Sequence, residues 1–167
     1  MDNNLPQDAD TPLQILTFTL ADTWYGLDIS HINEVIEMKQ VTKVPRTEDY
    51  MLGVFNLRGQ VIPLIDLRLY FNLEATPATI DSCIIIVNLQ VEQDQLMIGL
   101  LADSVDEVVE FSRDALALAP KIGNTIDRAF IQGMLDYEEH FIMLLSLQKI
   151  FSHGELKGVV QLVDNTH

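Results

Sequence analysis

The chain has 167 residues, 48% of them hydrophobic, which suffices for one compact domain, or two very small ones packed together, whose core needs neither metal ions nor disulfides. Ten lysines and arginines stand against 25 acidic residues, so the formal net charge is −15. This charge argues against nucleic-acid partners and anionic membrane surfaces, because phosphate groups are bound through lysine and arginine. The single cysteine, Cys83, excludes an internal disulfide and a multi-cysteine zinc site. With no apolar run of about 18 residues and no basic, apolar leader, the sequence predicts a soluble cytosolic protein.

Taken in chain order, the sequence consists of short apolar runs separated by turn residues. Residues 1–12 are polar and acidic and are interpreted as a flexible lead, and residues 154–167 as a C-terminal tail. QILTFTL alternates with the strand period of two, and VIPLID, CIIIVNL and QLMIGLLA are typical of buried strands. Pro63 places VIPLID at a sheet edge or at an irregularity. Asp66 and Ser146 each precede one predicted turn of helix, which their side-chain oxygens would cap, so the fold is predicted to be mainly β.

One segment of the sequence recurs. MLGVFNLRGQVIPLIDLRLYFN (51–72) aligns without a gap with IQGMLDYEEHFIMLLSLQKIFS (131–152), at an offset of 80 residues. A second match, in the same order, aligns GLDISHINEVI with GLLADSVDEVV at an offset of 73, with Gly26 on Gly99. Unrelated buried strands also share valine, isoleucine and leucine. Two ungapped matches, each anchored by a glycine, nevertheless favour an internal duplication.

The duplication divides the chain into two similar halves, about residues 13–72 and 82–152, joined by LEATPATID. A β module of 60 to 70 residues is marginal alone, because a small core hardly offsets the chain entropy lost on folding. The halves are therefore expected to pack face to face and to leave a groove between them. Such a groove is a natural place for a ligand or a partner.

The usual signals of catalysis are absent from the sequence. The four histidines show no spacing typical of metal ligands, and no nucleophile-elbow, dinucleotide-binding or phosphate-loop motif is present. Cys83 begins the apolar run CIIIV, where a buried and inert thiol is the simpler interpretation. Glu138 and Glu139 fall at a predicted hairpin tip and are interpreted as solvated. No catalytic, cofactor or metal site is predicted, although carboxylates that converge only on folding would leave no such signal.

The two copies of the repeat differ at a predicted turn. NLRG (56–59) in the first copy aligns with DYEE (136–139) in the second, so that Arg58 falls on Glu138. Divergence at the exposed tip of a repeated scaffold is typical of a functional position. The alternative, given equal weight, is that Arg58 only pairs with a nearby acid in a contact worth little. Asn56 and Gly59 suit a left-handed turn in either case.

A second pair of equivalent segments, INEVI and VDEVV, carries apolar residues interrupted by Glu34 and Glu107. Most such apolar residues belong to a core in any protein. The glutamates give each segment a solvated side, so both segments can also reach the predicted groove. The matching apolar positions are Ile32 with Val105, Val35 with Val108, and Ile36 with Val109.

GVFNLRGQVIPLIDLRLYF closely resembles the signature segment of the CheW family, the chemotaxis coupling proteins. TFTLADTWYGLDISHINEVIE is similar to the opening strand pair and helix of that family, and the similarity continues through LLADSVDEVVEF to FIQGMLDYEEHFIMLLSLQKIF. The resemblance covers about residues 13–153 as one CheW-like domain. It implies a mainly β fold of two intertwined, five-stranded, SH3-like barrels with a few short helices.

The resemblance also implies a non-enzymatic adaptor without cofactors. Such an adaptor links the cytoplasmic tips of methyl-accepting chemotaxis receptors to the regulatory domain of a CheA-type histidine kinase. It is cytoplasmic and is recruited to membrane-associated receptor arrays without entering the membrane. The tail and the acidic DYEE hairpin depart from the family pattern. By resemblance, Glu34 faces the kinase, and the receptor-binding residues are Arg58, Asn56, Gly59, Ile32, Val35, Val105 and Val108.

Three other interpretations remain open: an adaptor of a related pathway, a ligand-binding protein and an enzyme. The related pathways include twitching, gliding and second-messenger control, and the ligand-binding protein would be a small β-barrel that binds a ligand in its groove. The scarcity of convergent polar groups among the predicted groove residues disfavours the ligand-binding alternative. An enzyme would need titratable groups brought together only in the folded chain.

Overall fold

The computed structural model describes residues 11–91, 93–118 and 128–152, so most of the predicted lead and the predicted tail lie outside the described residues. Within these ranges the strands are β1 (Leu13–Leu20), β2 (Thr23–Asp28), β3 (Ile32–Glu37), β4 (Met51–Leu57), β5 (Gln60–Ile65), β6 (Cys83–Val91), β7 (Asp94–Ala102), β8 (Ser104–Phe111), β9 (Ile131–Tyr137) and β10 (His140–Leu145). The α-helices are α1 (Leu67–Tyr70) and α2 (Leu147–Ser152), and 3-10 turns cover Ile29–His31, Arg113–Ala115 and Arg128–Phe130. The predicted mainly β fold with short helices is confirmed. The described helices include none long and apolar enough to cross a membrane.

The strands form two five-stranded sheets that interleave along the chain. The central barrel, built from residues 32–102, has the strand order β3-β6-β7-β5-β4. The terminal barrel, built from β1, β2, β8, β9 and β10, has the order β8-β1-β2-β10-β9. The hairpin that opens each half of the repeat pairs with strands of the other half. Both barrels therefore cross the boundary between residues 13–72 and residues 82–152.

The internal duplication is visible in the structure, because β1 to β5 and α1 correspond to β6 to β10 and α2. In each copy an antiparallel hairpin acquires a parallel neighbour beside a glycine, Gly26 in β2 and Gly99 in β7. A Cβ atom on Gly26 would lie 2.4 Å from Cγ2 of Ile15, and one on Gly99 would lie 2.9 Å from Cγ2 of Ile84. Both contacts are closer than a side chain tolerates, so the repeated glycines allow the strands to pack.

Among the described residues, buried apolar side chains form three clusters. The largest lies between the barrels and includes Phe18 and Leu145 of the terminal barrel, Val87 of the central barrel, and Leu67 and Leu147 of the helices. Each barrel also encloses a smaller cluster of its own. Because much of the core is shared, each barrel depends on the other for the burial of its apolar surface.

One local expectation holds in part, and another is wrong. Pro63 is not at a sheet edge, since β5 lies between β7 and β4, but the alternative of an irregularity is confirmed, because the pairing of β4 with β5 shifts between Met51 and Gly53. The N–H and C=O groups of Val54, which lies opposite Pro63, bond instead to Thr42 at 2.8 Å each, so the pairing with β4 does not need the missing N–H of proline. The segment Ile32–Glu37, similar to a family helix in sequence, is strand β3, and helical geometry is confined to the turn Ile29–His31.

A buried ion network connects α1 to the terminal barrel. The guanidinium of Arg68, whose side chain is 5% exposed, donates to both carboxylate oxygens of Asp66 at 3.0 Å. Its Nη1 donates to Asp103 at 2.7 Å and to the carbonyl oxygen of Thr76 at 3.1 Å. Asp103 also accepts a hydrogen bond of 2.7 Å from the backbone N–H of Ala21 in the β1–β2 turn. The network therefore fixes part of the linker after α1 and joins the two barrels.

Candidate functional site

Arg58 lies at the tip of the β4–β5 hairpin, as the sequence predicts. The paired residues Leu57 and Gln60 enclose a two-residue turn, in which Arg58 has a φ of 51° and Gly59 a φ of 89°. Positive φ at both positions defines a type I′ turn, which matches the twist of the flanking strands. The side-chain oxygen of Asn56 accepts a hydrogen bond of 3.1 Å from the N–H of Gly59. Asn56 and Gly59 thus shape the turn that presents Arg58.

Arg58 forms an ion pair with Glu34 across the edges of the central barrel. Its Nη2 donates to Oε2 of Glu34, and the two side chains are 68% and 30% exposed, respectively. Glu34 follows a bulge in β3, where the pairing with β6 shifts between Ile32 and Glu34. A bulge re-aims the neighbouring side chain, and here it accompanies the approach of Glu34 to the hairpin. Since β3 and β4 are the edge strands of the sheet, the contact helps to close the barrel.

The ion pair leaves most of the guanidinium available. At this exposure the pair contributes at most about 1 kcal/mol to stability. No other hydrogen bond from the Arg58 side chain is found within the described residues, so its remaining N–H groups face solvent. Both interpretations of Arg58 from the sequence are therefore compatible with the structure. Arg58 pairs with a nearby acid, and its other donors are available to a partner.

The structure separates the four apolar candidate residues into two kinds. Ile32 and Val105 are half-buried and pack against the cluster between the barrels. Val35 and Val108 point to solvent, with exposed fractions of 41% and 52%. Val35 follows Glu34 on β3, but its side chain points to the opposite face of the sheet, because Val35 is paired with Ile85 and Glu34 with Ile86. Val105 and Val108 lie on β8, in the terminal barrel, so the candidate residues span both barrels.

The equivalent end of the terminal barrel carries a different contact. The hydroxyl of Tyr137 donates a hydrogen bond of 2.9 Å to Glu107, the counterpart of Glu34. This hydrogen bond is the main cause, and desolvation the second, of a raised pKa of about 12 for Tyr137. The adjacent Glu138 and Glu139 form the two-residue turn, with φ of 47° and 70°. Sequence reasoning missed the Tyr137–Glu107 contact, although the alignment of Glu107 with Glu34 was a signal for it.

Aromatic rings surround this second end, and these residues were also missed. Trp24 and His140 are stacked with ring centroids 4.7 Å apart, and Tyr137 packs edge-on against Phe111 at 5.8 Å. Phe141, two residues beyond the turn, is 56% exposed. Such rings arise on different strands, so only the fold brings them together.

Reactive groups show no catalytic arrangement in the part of the chain that the structure describes. It contains no group of three or more His, Cys, Asp or Glu side chains placed to hold a metal ion. Burial, and then the charge of Asp81, raises the pKa of the half-buried Cys83 thiol, which favours the unreactive protonated form. A cleft of about 320 Å³, lined by hydroxyl and carboxylate groups, shares none of its lining residues with the Arg58 site.

A double barrel that presents an exposed charged turn on one barrel and an exposed valine on each has features typical of a protein-interaction module. Comparison with known proteins identifies the module, since the CheW-like domain family matches residues 14–155. The chemotaxis protein CheW of Klebsiella aerogenes is 30% identical over 91% of this chain and 87% of its own length. That of Treponema pallidum is 31% identical over 92% and 90%. The scaffolding protein TtCheW from Thermoanaerobacter tengcongensis superposes with a TM-score of 0.77 at 32% identity, covering 93% of this chain and 95% of its own.

The chain belongs to the CheW family. It is a chemotaxis scaffold protein of the kind that couples receptors to the kinase, and the scaffolds of this family are non-enzymatic. The two intertwined five-stranded barrels that the sequence resemblance implied are confirmed.

Proposed function

We propose that this chain couples the cytoplasmic tips of methyl-accepting chemotaxis receptors to the regulatory domain of a CheA-type histidine kinase. It acts in the cytoplasm, at membrane-associated receptor arrays. The observation that carries this proposal is the exposed Arg58 guanidinium, held on a rigid type I′ turn within the family's signature segment. An arginine presented in this way offers several donors at fixed geometry to carboxylate or carbonyl acceptors of a partner.

The receptor contacts Arg58 and exposed apolar residues of both barrels. The turn formed with Asn56 and Gly59 orients the guanidinium, and Val35 supplies exposed apolar surface on β3. Val108 adds apolar surface on the terminal barrel. Ile32 and Val105 are half-buried, and they support this surface from the shared core. A receptor helix with apolar residues and a carboxylate or carbonyl acceptor fits such a surface.

The kinase contacts the face that bears Glu34. Because the Glu34 carboxylate accepts a hydrogen bond from Arg58, the residues assigned to the two partners share one ion pair. A receptor group that takes the Nη2 donor shared with Glu34, rather than the free donors of Arg58, frees that carboxylate. The shared ion pair is therefore a physical link between receptor binding and the kinase-facing surface.

The first test replaces Arg58 by Ala, Lys or Glu. We expect the free energy of unfolding to change by about 0.5 kcal/mol or less, because the side chain is exposed. Affinity for a receptor cytoplasmic fragment should fall by about tenfold or more, and Glu should be worse than Ala. The measurements are thermal melting, binding by calorimetry and kinase activity in a reconstituted array. Lys149→Glu changes the net charge by the same amount as Arg58→Glu at an exposed position of α2 and serves as the control.

Unchanged binding and kinase control in Arg58→Glu would refute the receptor assignment. A double-mutant cycle with Glu34→Gln extends the test to the kinase-facing surface. If the ion pair links the partners, Glu34→Gln should weaken kinase binding, and its effect should differ between the wild-type and Arg58→Ala backgrounds. Strictly additive effects on kinase binding would show that Arg58 and Glu34 act independently, and would contradict the proposed link.

A further inference from the structure

The edge strands β3 and β8 carry their apolar candidate residues at a spacing that a regular strand does not permit. Ile32 and Val35 are three residues apart, and so are Val105 and Val108. Residues three apart in a regular strand point to opposite faces, because successive side chains alternate. Here both members of each pair lie opposite residues of the cluster between the barrels. Each strand therefore contains one extra residue between the two.

A bulge supplies the extra residue at equivalent positions of the two strands. In β3 the pairing with β6 shifts across Asn33, and in β8 the pairing with β1 shifts across the matched Asp106. The bulge returns the second apolar residue to the face of the first and aims the intervening glutamate, Glu34 or Glu107, away from that face. Because the bulge interrupts the ladder of backbone hydrogen bonds, other contacts must hold it in place.

A buried hydroxyl holds the bulge in β8. Thr17 is 1% exposed and lies on β1 opposite the bulge, where the register of backbone pairs is interrupted. Its hydroxyl donates a hydrogen bond of 2.9 Å to the carbonyl oxygen of Glu107 and accepts one of 3.2 Å from the N–H of Glu107. Ile86 occupies the equivalent position of the central barrel, because each of these residues is paired with its repeated glycine. An apolar side chain therefore fits at this position, and the hydroxyl serves the bulge.

The side chain of Asn33 holds the bulge in β3. Its Oδ1 accepts a hydrogen bond of 2.6 Å from Nδ2 of Asn88, and its Nδ2 donates to Sδ of Met97 at 3.4 Å. Asn88 and Met97 are paired directly across β6 and β7. The Asn33 amide therefore connects the bulge to two further strands of the central barrel. Both contacts lie on the exposed surface, so they should hold the bulge less strongly than the buried hydroxyl does.

We propose that Thr17 and Asn33 are positioning residues of the adaptor. Each holds a bulge that places two apolar residues of an edge strand together on the face between the barrels, where the receptor binds under the proposed function. Each also fixes the direction of the glutamate that meets the hairpin tip of the same barrel. The inference rests on the proposed function and adds two residues that act through others and contact no partner themselves.

The first test compares Thr17→Val with Thr17→Ser in the full chain. Valine keeps the shape of threonine without the hydroxyl, so we expect the bulge to shift, Val108 to leave its position and the affinity for a receptor cytoplasmic fragment to fall about fivefold. Serine keeps the hydroxyl and should bind within about twofold of the wild-type chain. Calorimetry gives both affinities. Equal affinities of the two variants would overturn the role of the hydroxyl.

Thr19→Val is the matched control. Thr19 lies two residues further along β1, and its hydroxyl is 2.8 Å from that of Ser104, where the pairing of the strands is regular. This variant loses the same hydroxyl from the same strand pair without touching the bulge. Its affinity for the receptor fragment should stay within about twofold of the wild-type value. A loss as large as that of Thr17→Val would contradict a specific role of the bulge.

A second measurement reports the bulge without any partner. The hydrogen bond to Glu107 is the main reason why the pKa of Tyr137 is raised to about 12. If Thr17→Val releases the bulge, Glu107 moves away from the Tyr137 hydroxyl and its pKa falls towards about 10. Tyrosinate absorbance follows the change, and Thr19→Val should leave the pKa of Tyr137 unaltered. An unaltered pKa in Thr17→Val would show that Glu107 is held without the hydroxyl, and would overturn the proposal for β8.

The central barrel is tested through both partners of its amide contact. Asn33→Ala and Asn88→Ala should each weaken receptor binding about threefold, a smaller effect than that of Thr17→Val because the contacts are exposed. The control is Gln95→Ala, which removes an amide contact of 3.3 Å with Gln90 that does not involve β3. It should bind like the wild-type chain. Unchanged affinity in both Asn33→Ala and Asn88→Ala would refute the role of Asn33.

Failure of this inference is distinguishable from failure of the proposed function. If Arg58→Glu weakens receptor binding while Thr17→Val and Asn33→Ala do not, the positioning role is refuted and the receptor assignment stands. If the wild-type chain binds no receptor fragment, the proposed function fails. The titration of Tyr137 then decides by itself whether Thr17 holds the bulge.

Discussion

The central and terminal barrels share a strand plan and differ at two places. Their common features are the repeated glycines, the I′ turns and the short helix after the second strand of each strand–turn–strand unit. One difference is at the hairpin tip. The central barrel has the Arg58–Glu34 ion pair there, and the terminal barrel has the hydrogen bond between Tyr137 and Glu107. The other is the buried Arg68 network, whose counterpart position holds the exposed Gln148. Duplication therefore preserved the residues that build the barrels, while the differences concern what the surfaces bind and how the barrels are joined.

The largest expected effect comes from separating the halves. A chain that ends after residue 80 lacks β6 to β10, and so loses two strands of the central barrel and three of the terminal barrel. We expect no cooperative unfolding transition, because the cluster between the barrels loses residues such as Val87 and Leu147. Urea unfolding followed by circular dichroism, with the full chain alongside, provides the measurement. A cooperative transition in the fragment would show that one half is an independent module.

The ion network predicts the next largest effect. Arg68→Ala leaves the buried carboxylate of Asp66 without its cation and Asp103 with a weaker set of partners. We expect a loss of about 3 kcal/mol in the free energy of unfolding, since an uncompensated buried charge is costly. Gln148→Ala, at the matched and exposed position of α2, should change stability by about 0.5 kcal/mol or less. Chemical denaturation of both variants checks the difference. Equal losses in the free energy of unfolding would mean that the stabilisation is not specific to the Arg68 network.

The smallest expected effect is spectroscopic. Tyr137 should release its proton with a pKa of about 12, and Glu107→Gln should lower that value towards 10. Because the folded-state pKa is raised, the stabilisation is complete below about pH 10 and is lost as the pH rises through about 12. Tyrosinate absorbance, with Tyr137→Phe to assign the signal, gives the measurement. The pKa of Tyr25, raised to about 12 by burial, should be the same in both proteins and serves as the internal control.

The sequence alone predicted the features that depend on local pattern. Alternating apolar residues gave the strands, Asp66 and Ser146 gave the short helices, and the repeat gave the equivalence of the two hairpins. The exposed turn around Arg58 followed from the same alignment, and the structure adds its contact with Glu34.

Features that depend on chain crossing do not follow from the residues alone. Strand patterns do not say which strands pair, so the exchange of hairpins between the halves was implied only by the family resemblance, with its intertwined barrels. For the same reason the choice between an edge and an irregularity at Pro63 could not be made, because its neighbours in the sheet were unknown. The contacts of Arg68 with Asp103 and of Tyr137 with Glu107 join residues 35 and 30 positions apart, and only the folded topology brings such residues together.

The interleaved topology also has a consequence for the order of folding. The central barrel is one continuous stretch, residues 32–102, so its strands join residues closer in the chain; the contact of Asn33 with Asn88, between β3 and β6, spans 55 positions. The terminal barrel must join β1 to β8, and the hydrogen bond between Thr19 and Ser104 spans 85 positions. Closing a long loop costs more entropy and slows folding, unless an already folded segment holds its ends together. We expect the central barrel to form first and to act as the template that brings the two ends of the chain into register.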